Sequence, residues 1–181
     1  MKIAQVLAEL QKRLQATVPG RKTYIITGPR EELQAFRKKL LELVEGGGYP
    51  DIECISLNND FINYLEKRRL LEPLIGDEEA LRLKSVRNKL QKHLREFITS
   101  ALKEHVLLCL HDLELVFGYG LELEFLCEWA VGNRQVVFLV PGEQHHGDVI
   151  AYAWDHEHRR TFPRNLVRPE WTWVLGEDKQ D

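Results

Sequence analysis

The chain predicts a three-layer α/β domain with a mostly parallel sheet and a small C-terminal β extension. Three observations carry this. Short apolar runs bounded by turn residues recur at 23–27, 52–57, 106–110 and 135–140. Stretches of helical period lie between them. The last two runs are almost wholly apolar, the pattern of strands covered on both faces. Parallel strands need crossovers, and helices on both faces supply them. The 181 residues suffice for a single domain, with an N-terminal helix inside 1–20 and a β extension over 143–181.

Each element follows from local pattern. Residues 1–17 place Ile3, Val6, Leu7, Leu10 and Leu14 on one side of an amphipathic helix, and Pro19-Gly20 closes it. Thr23 to Thr27 is β-branched and aromatic, hence a strand. From Glu31 the period changes: Leu33, Phe36, Leu40 and Val44 form a helical stripe that Gly46-Gly47-Gly48 and Pro50 end. The second strand, 52–57, leaves through Asn58-Asn59-Asp60, residues suited to capping a helix that carries Phe61, Ile62 and Leu65. Residues 67–77 carry no clear period. One long helix is expected over 78–103, with Val86, Leu90, Leu94, Phe97 and Ala101 facing the sheet. After the strand at 106–110, a helix is expected over 121–131, ending at Gly132-Asn133. Pro141-Gly142 then closes the strand at 135–140. Runs at 149–153, 161–162 and 171–175 read as short strands of a small antiparallel extension.

Composition narrows the function classes. A formal net charge of -3, with 44% hydrophobic and 29% charged residues, fits an ordinary globular domain and carries no global signal for nucleic acid. No apolar run reaches membrane-spanning length, so no membrane partner is expected. Cys54, Cys109 and Cys127 sit in apolar runs without CxxC spacing, which suits reduced thiols of a cytoplasmic protein and shows no charged setting for a reactive thiolate.

The stretch Gly28-Pro-Arg-Glu-Glu-Leu-Gln-Ala35 has the strand, glycine and helix order of a phosphate-binding P-loop, GxxxxGK[ST]. In that motif the second glycine gives curvature, the lysine neutralises phosphate and the hydroxyl holds magnesium. Here Leu33, Gln34 and Ala35 stand at those positions, so Gly28, Pro29, Arg30, Glu31, Glu32, Leu33, Gln34 and Ala35 read as a degenerate nucleotide loop. Glu31 and Glu32 supply the positive helix end with its own anions and repel phosphate, while Arg30 offsets part of that charge. The acidic half of an NTPase falls at Leu110-His-Asp-Leu-Glu114. If His111 occupies the metal-facing tip the carboxylate is replaced. If Asp112 does, one acid survives, and Glu114 could polarise water. Without lysine or hydroxyl there is no triphosphate to act on; neither hydrolysis nor a bound nucleotide cofactor is expected.

Leu110-His-Asp-Leu-Glu-Leu-Val-Phe117, Gly132-Asn-Arg-Gln-Val-Val-Phe-Leu-Val-Pro-Gly142 and the stretch from Tyr152 to Pro163 together resemble the BrxF-like P-loop family of bacteriophage exclusion (BREX) systems. The likeness is colinear from Thr23 to Leu175. It implies a P-loop NTPase-like fold and a role in antiviral defence beside a DNA methyltransferase and other subunits. The family's Walker A lysine falls at Gln34 and its Walker B aspartate at His111, so ATP binding does not carry over. Partners implied are other defence proteins. A looser likeness to delta-type clamp-loader subunits shows how such a fold serves as a binding subunit after losing ATP chemistry.

Arg82, Lys84, Arg87, Lys89, Lys92 and Arg95 have no acidic residue among them and form one basic helix face, a candidate contact for DNA, RNA or an acidic protein. His145-His146-Gly147-Asp148 and Asp155-His156-Glu157-His158 match no established metal-ligand spacing and read as polar loops, so no metal is expected. Trp171 and Trp173 share one strand face and would anchor a partner if exposed.

Overall fold

The computed structural model describes residues 1–16, 22–47, 52–156, 158–167 and 169–176. The expected punctuation at Pro19-Gly20, Gly48 and Pro50, and Glu157 of the second histidine cluster, lie outside them. The chain opens with α1 (Ile3–Gln15), β1 (Thr23–Gly28), α2 (Arg30–Glu45) and β2 (Glu53–Ser56). Next come α3 (Asn59–Lys67), α4 (Leu71–Glu79), α5 (Leu83–Glu104) and β3 (Leu107–His111). Two short helices follow, α6 (Glu114–Gly118) and α7 (Leu126–Trp129), then β4 (Gln135–His145), β5 (Asp148–Ala151), β6 (Arg160–Thr161) and β7 (Thr172–Val174).

The sheet has the order β2-β3-β4-β1-β7, every neighbour on this path pairing in parallel. The crossover from β1 to β2 runs across the sheet in the opposite direction to that from β2 to β3. Right-handed connections therefore put α2 on one face and α3 to α5 on the other. α1 packs beside α2. Gln135 holds it there: its Nε2 donates to the Leu14 carbonyl at 3.1 Å, and its Oε1 accepts from the Tyr24 hydroxyl at 3.1 Å. The fold is thus a three-layer α/β domain with a mostly parallel sheet. α2 buries Leu33, Phe36 and Leu40, and α5 buries Val86, Leu90, Leu94, Ile98 and Leu102. Each such side chain contributes about 2 kcal/mol on burial.

Four sequence expectations are revised. The expected helix over 78–103 is two, α4 and α5, because Leu81 turns left-handed at φ 57°. The amide of Arg82 donates to the Asp77 carbonyl and that of Leu81 to the Glu78 carbonyl, each at 2.8 Å, the closing pattern that glycine normally serves. Leu81 is 82% exposed, so its side chain returns little for the strain. Leu81→Gly is expected to stabilise the fold by about 1 kcal/mol, seen as a higher urea midpoint with an unchanged slope. A lower midpoint would show that the leucine makes a contact worth more than its strain.

The expected helix over 121–131 reduces to the four residues of α7, preceded by the turn that places Leu121 and Leu123 in the core. Its apolar spacing reflects burial of successive turns. β4 does not stop at Pro141-Gly142 but passes from the parallel sheet into an antiparallel hairpin with β5, which pairs in turn with β6. The missing side chain of Gly142 admits the Ile150 carbonyl, which a Cβ there would strike. The last strand belongs not to the extension but to the main sheet: β7 runs parallel to β1. Trp171 and Trp173 are therefore buried, their rings 5.3 and 6.0 Å from that of Tyr24, and present no anchor to a partner.

Candidate functional site

In an open parallel sheet a ligand sits outside the carboxyl ends of the strands. β1, β3 and the parallel part of β4 bring Gly28, His111 and Pro141 to that edge. Gly28 has φ 153°, and a Cβ on it would meet the Leu175 carbonyl oxygen at 2.8 Å and the Leu175 Cβ at 3.0 Å. The Leu175 amide donates to the Thr27 carbonyl at 2.7 Å. The glycine thus serves the close passage of the chain leaving β7. Only Pro29 separates β1 from α2. Arg30, Glu31, Glu32, Leu33, Gln34 and Ala35 all lie in the helix, and the Leu33 amide donates to the Pro29 carbonyl at 3.1 Å. No loop remains to wrap a phosphate. Leu33 points into the core, while Gln34 and Ala35 lie on the exposed side.

The acidic side is equally committed. His111 ends β3 and is buried beneath α2; Asp112 follows with φ 53°. Arg37 Nη1 lies 2.8 Å from His111 Nε2, and His111 Nδ1 lies 2.8 Å from Asp112 Oδ2. Arg37 Nη1 also lies 3.1 Å from His111 Nδ1, so the guanidinium sits against both ring nitrogens. The Ser56 hydroxyl donates to the same Asp112 oxygen at 2.9 Å and accepts from the Asn59 amide at 3.1 Å. The hydrogen bond from His111 holds the Asp112 carboxyl below its usual value against burial, with further help from Ser56 and Arg37.

Glu114 opens α6, yet both its oxygens are taken. Oε1 accepts from Arg30 Nη2 at 2.6 Å and Oε2 from Asn58 Nδ2 at 2.9 Å. Asn58 also accepts the Leu115 amide at 2.9 Å, fixing the start of α6. The Arg30 guanidinium is pushed above its ordinary value chiefly by the bond to Glu114. At 54% exposure of Arg30 the ion pair is screened, and it contributes about 1 kcal/mol or less. Behind Glu114, the Tyr152 hydroxyl accepts the Leu113 amide at 3.0 Å, and burial drives this phenol far above its ordinary value. The space left between Arg30, Leu33, Gln34, Arg37, His111, Asp112, Leu139 and Pro141 is about 30 Å³. Small-molecule pockets begin at about 300 Å³.

The structure thus brings Arg30 and Glu114 together, with His111 and Asp112 beside them, leaves the exposed Gln34 at the rim of the same space, and moves Glu31 and Ala35 outward. Ser56 and Arg37 escaped the sequence reading, and Asn58 was read only as part of a helix cap. Arg37 lies seven residues after Arg30, two helical turns along the same face, and that spacing was the available signal. Asn58 is spent on α6 instead of capping α3.

The basic set is less open than its sequence. Arg82 and Lys89 hold Asp77 at 3.2 and 2.6 Å, Arg87 meets Glu122 at 3.4 Å and Lys92 meets Glu96 at 3.9 Å. The Arg95 guanidinium lies 5.2 Å from the Phe125 ring centroid, and Lys84 is exposed. In the histidine-rich loops His145 pairs with Glu143 and His158 with Asp155, and Asp148 with Arg164. Among the described residues no three His, Cys, Asp or Glu side chains gather into a metal-binding group. Among them, too, no helix is long and apolar enough to cross a membrane. No protein-family model, curated protein or solved structure matches the chain.

Proposed function

We propose that this chain is a non-catalytic, P-loop NTPase-like subunit of a bacteriophage exclusion-type antiviral defence complex, acting in the cytoplasm through protein-protein contact. One observation carries the loss of nucleotide chemistry: a single residue, Pro29, joins β1 to α2, and the glycine before it is filled by Leu175. The acid that could polarise water, Glu114, is already held by Arg30 and Asn58. A rigid α/β body with a satisfied ligand edge suits a binding role. The defence setting rests on the colinear resemblance of 110–117, 132–142 and 152–163 to the BrxF-like family.

DNA binding through Arg82, Lys84, Arg87, Lys89, Lys92 and Arg95 is the weaker reading, since four of these cations already face acids within the chain. Completion of an ATP site by a partner would need the α2 junction to unwind. The test is co-expression of the tagged chain with the methyltransferase, phosphatase-like and helicase subunits of a bacteriophage exclusion system. Co-elution with at least one of them through size exclusion at physiological salt is the expected outcome, and elution of the chain alone in every pairing would contradict the proposal.

A further inference from the structure

Two thiols have no part in the site just described. Cys54 of β2 and Cys109 of β3 are in-register partners on adjacent parallel strands, so their side chains leave the same face of the sheet. Neighbouring strands lie about 4.8 Å apart, inside the roughly 4.4 to 6.8 Å over which two cysteine Cα atoms can be bridged. Their surroundings differ in a useful way. Cys54 is half-buried on the edge strand. Cys109 is fully buried.

The hydrogen bond from Cys109, and after it the Arg37 guanidinium, pull the Cys54 thiol below its ordinary value against burial. The same bond, with burial, pushes Cys109 well above it. The charged setting that the sequence did not reveal is supplied by Arg37, which comes from α2 and is remote from both cysteines in sequence.

We propose that Cys54 is a site of oxidation by peroxides and that Cys109 is its resolving thiol. The Cys54 thiolate attacks one peroxide oxygen; the O–O bond breaks, sulfur is oxidised to the sulfenic acid, and the other oxygen leaves as water after taking a proton. The Cys109 sulfur then displaces hydroxide from the sulfenic sulfur, its own proton leaving with that hydroxide as a second water, and the S–S bond forms. The bridge ties the edge strand to β3 two residues before Ser56, whose hydroxyl holds Asp112. In-register neighbours hold their side chains farther apart than a relaxed bridge, so the disulfide is one that thiols readily reduce.

The experiment treats the reduced full chain with a few equivalents of hydrogen peroxide, quenches at intervals with dimedone or iodoacetamide, and maps peptides without reduction. Cys127, half-buried with its thiol at 3.5 Å from the Asn165 carbonyl, is the internal control. The expected result is early dimedone labelling of Cys54, then a Cys54–Cys109 linked pair that dithiothreitol dissolves, with Cys127 oxidised at least tenfold more slowly. In Cys54→Ser the link disappears and Cys109 resists peroxide. Equal oxidation of Cys54 and Cys127, accumulation of overoxidised Cys54 without the link, or undiminished oxidation of Cys109 in the variant would each overturn the proposal. The wild-type map decides the question even if the variant folds poorly.

Discussion

Gly28→Ala is expected to lower the unfolding free energy by about 3 kcal/mol, measured by urea denaturation followed by circular dichroism. Two terms add. At φ 153° an L side chain is strained, at a cost of about 1 to 3 kcal/mol. The new Cβ also meets backbone, the Leu175 carbonyl oxygen at 2.8 Å, which cannot rotate away as a side chain would. Relief requires β7 to draw back from β1, loosening the Leu175-to-Thr27 hydrogen bond and the tryptophans packed on Tyr24. A loss below about 0.5 kcal/mol, the size of an ordinary surface change, would mean that β7 yields freely and that the glycine is present for another reason.

The second large effect comes from rewriting the motif. Leu33→Gly, Gln34→Lys and Ala35→Ser together restore the letters GxxxxGK[ST] from Gly28 onward. The triple variant is expected to lose about 4 kcal/mol and gain no affinity for ATP. Leu33 is 4% exposed, so removing its side chain costs about 2 to 5 kcal/mol, and glycine within a helix adds about 1. A lysine at 34 would stand at the rim of a space of only about 30 Å³, and the amide of residue 33 is already bonded to Pro29. Letters cannot rebuild a cradle where the chain has no loop. Micromolar ATP binding by the variant, seen in a magnesium-containing titration, would show that the junction opens when asked and would return the stretch to the status of a dormant nucleotide site.

Strand and helix order was legible wherever burial and period agreed. The runs at 23–27 and 106–110 are wholly apolar or β-branched, and both became buried strands in the middle of the layers. The break between α4 and α5 was not legible, because Leu81 adopts the left-handed turn without the glycine that usually announces it. The strand at 171–175 was recognised, but its place beside β1 depends on a partner nearly 150 residues away in the chain. That pairing also supplies the reason for Gly28, so the glycine looked like a ligand residue until β7 was in position.

The same distance limit governed the site. Arg30 and Glu114 were each suspected of a part in nucleotide chemistry, and their mutual ion pair cancels both suspicions across 84 residues. Asp112 and His111 were alternatives for one position, whereas the backbone at φ 53° turns between them and lets them bond to each other. The basic face looked uninterrupted because its acids, Asp77 and Glu122, come from outside the stretch that carries the cations. Charge counted along one helix overstates charge available in space.

The measurement that bears most directly on the central claim is isothermal titration of ATP with magnesium into the wild-type chain at low salt, where phosphate binding is favoured. The closed junction of Gly28, Pro29 and Arg30, with Glu114 already held by Arg30 and Asn58, leads to an expected result of no saturable heat up to millimolar nucleotide. A saturable isotherm in the micromolar range, abolished by Arg30→Ala or Arg37→Ala, would contradict it and place phosphate where the chain now holds its own carboxylate.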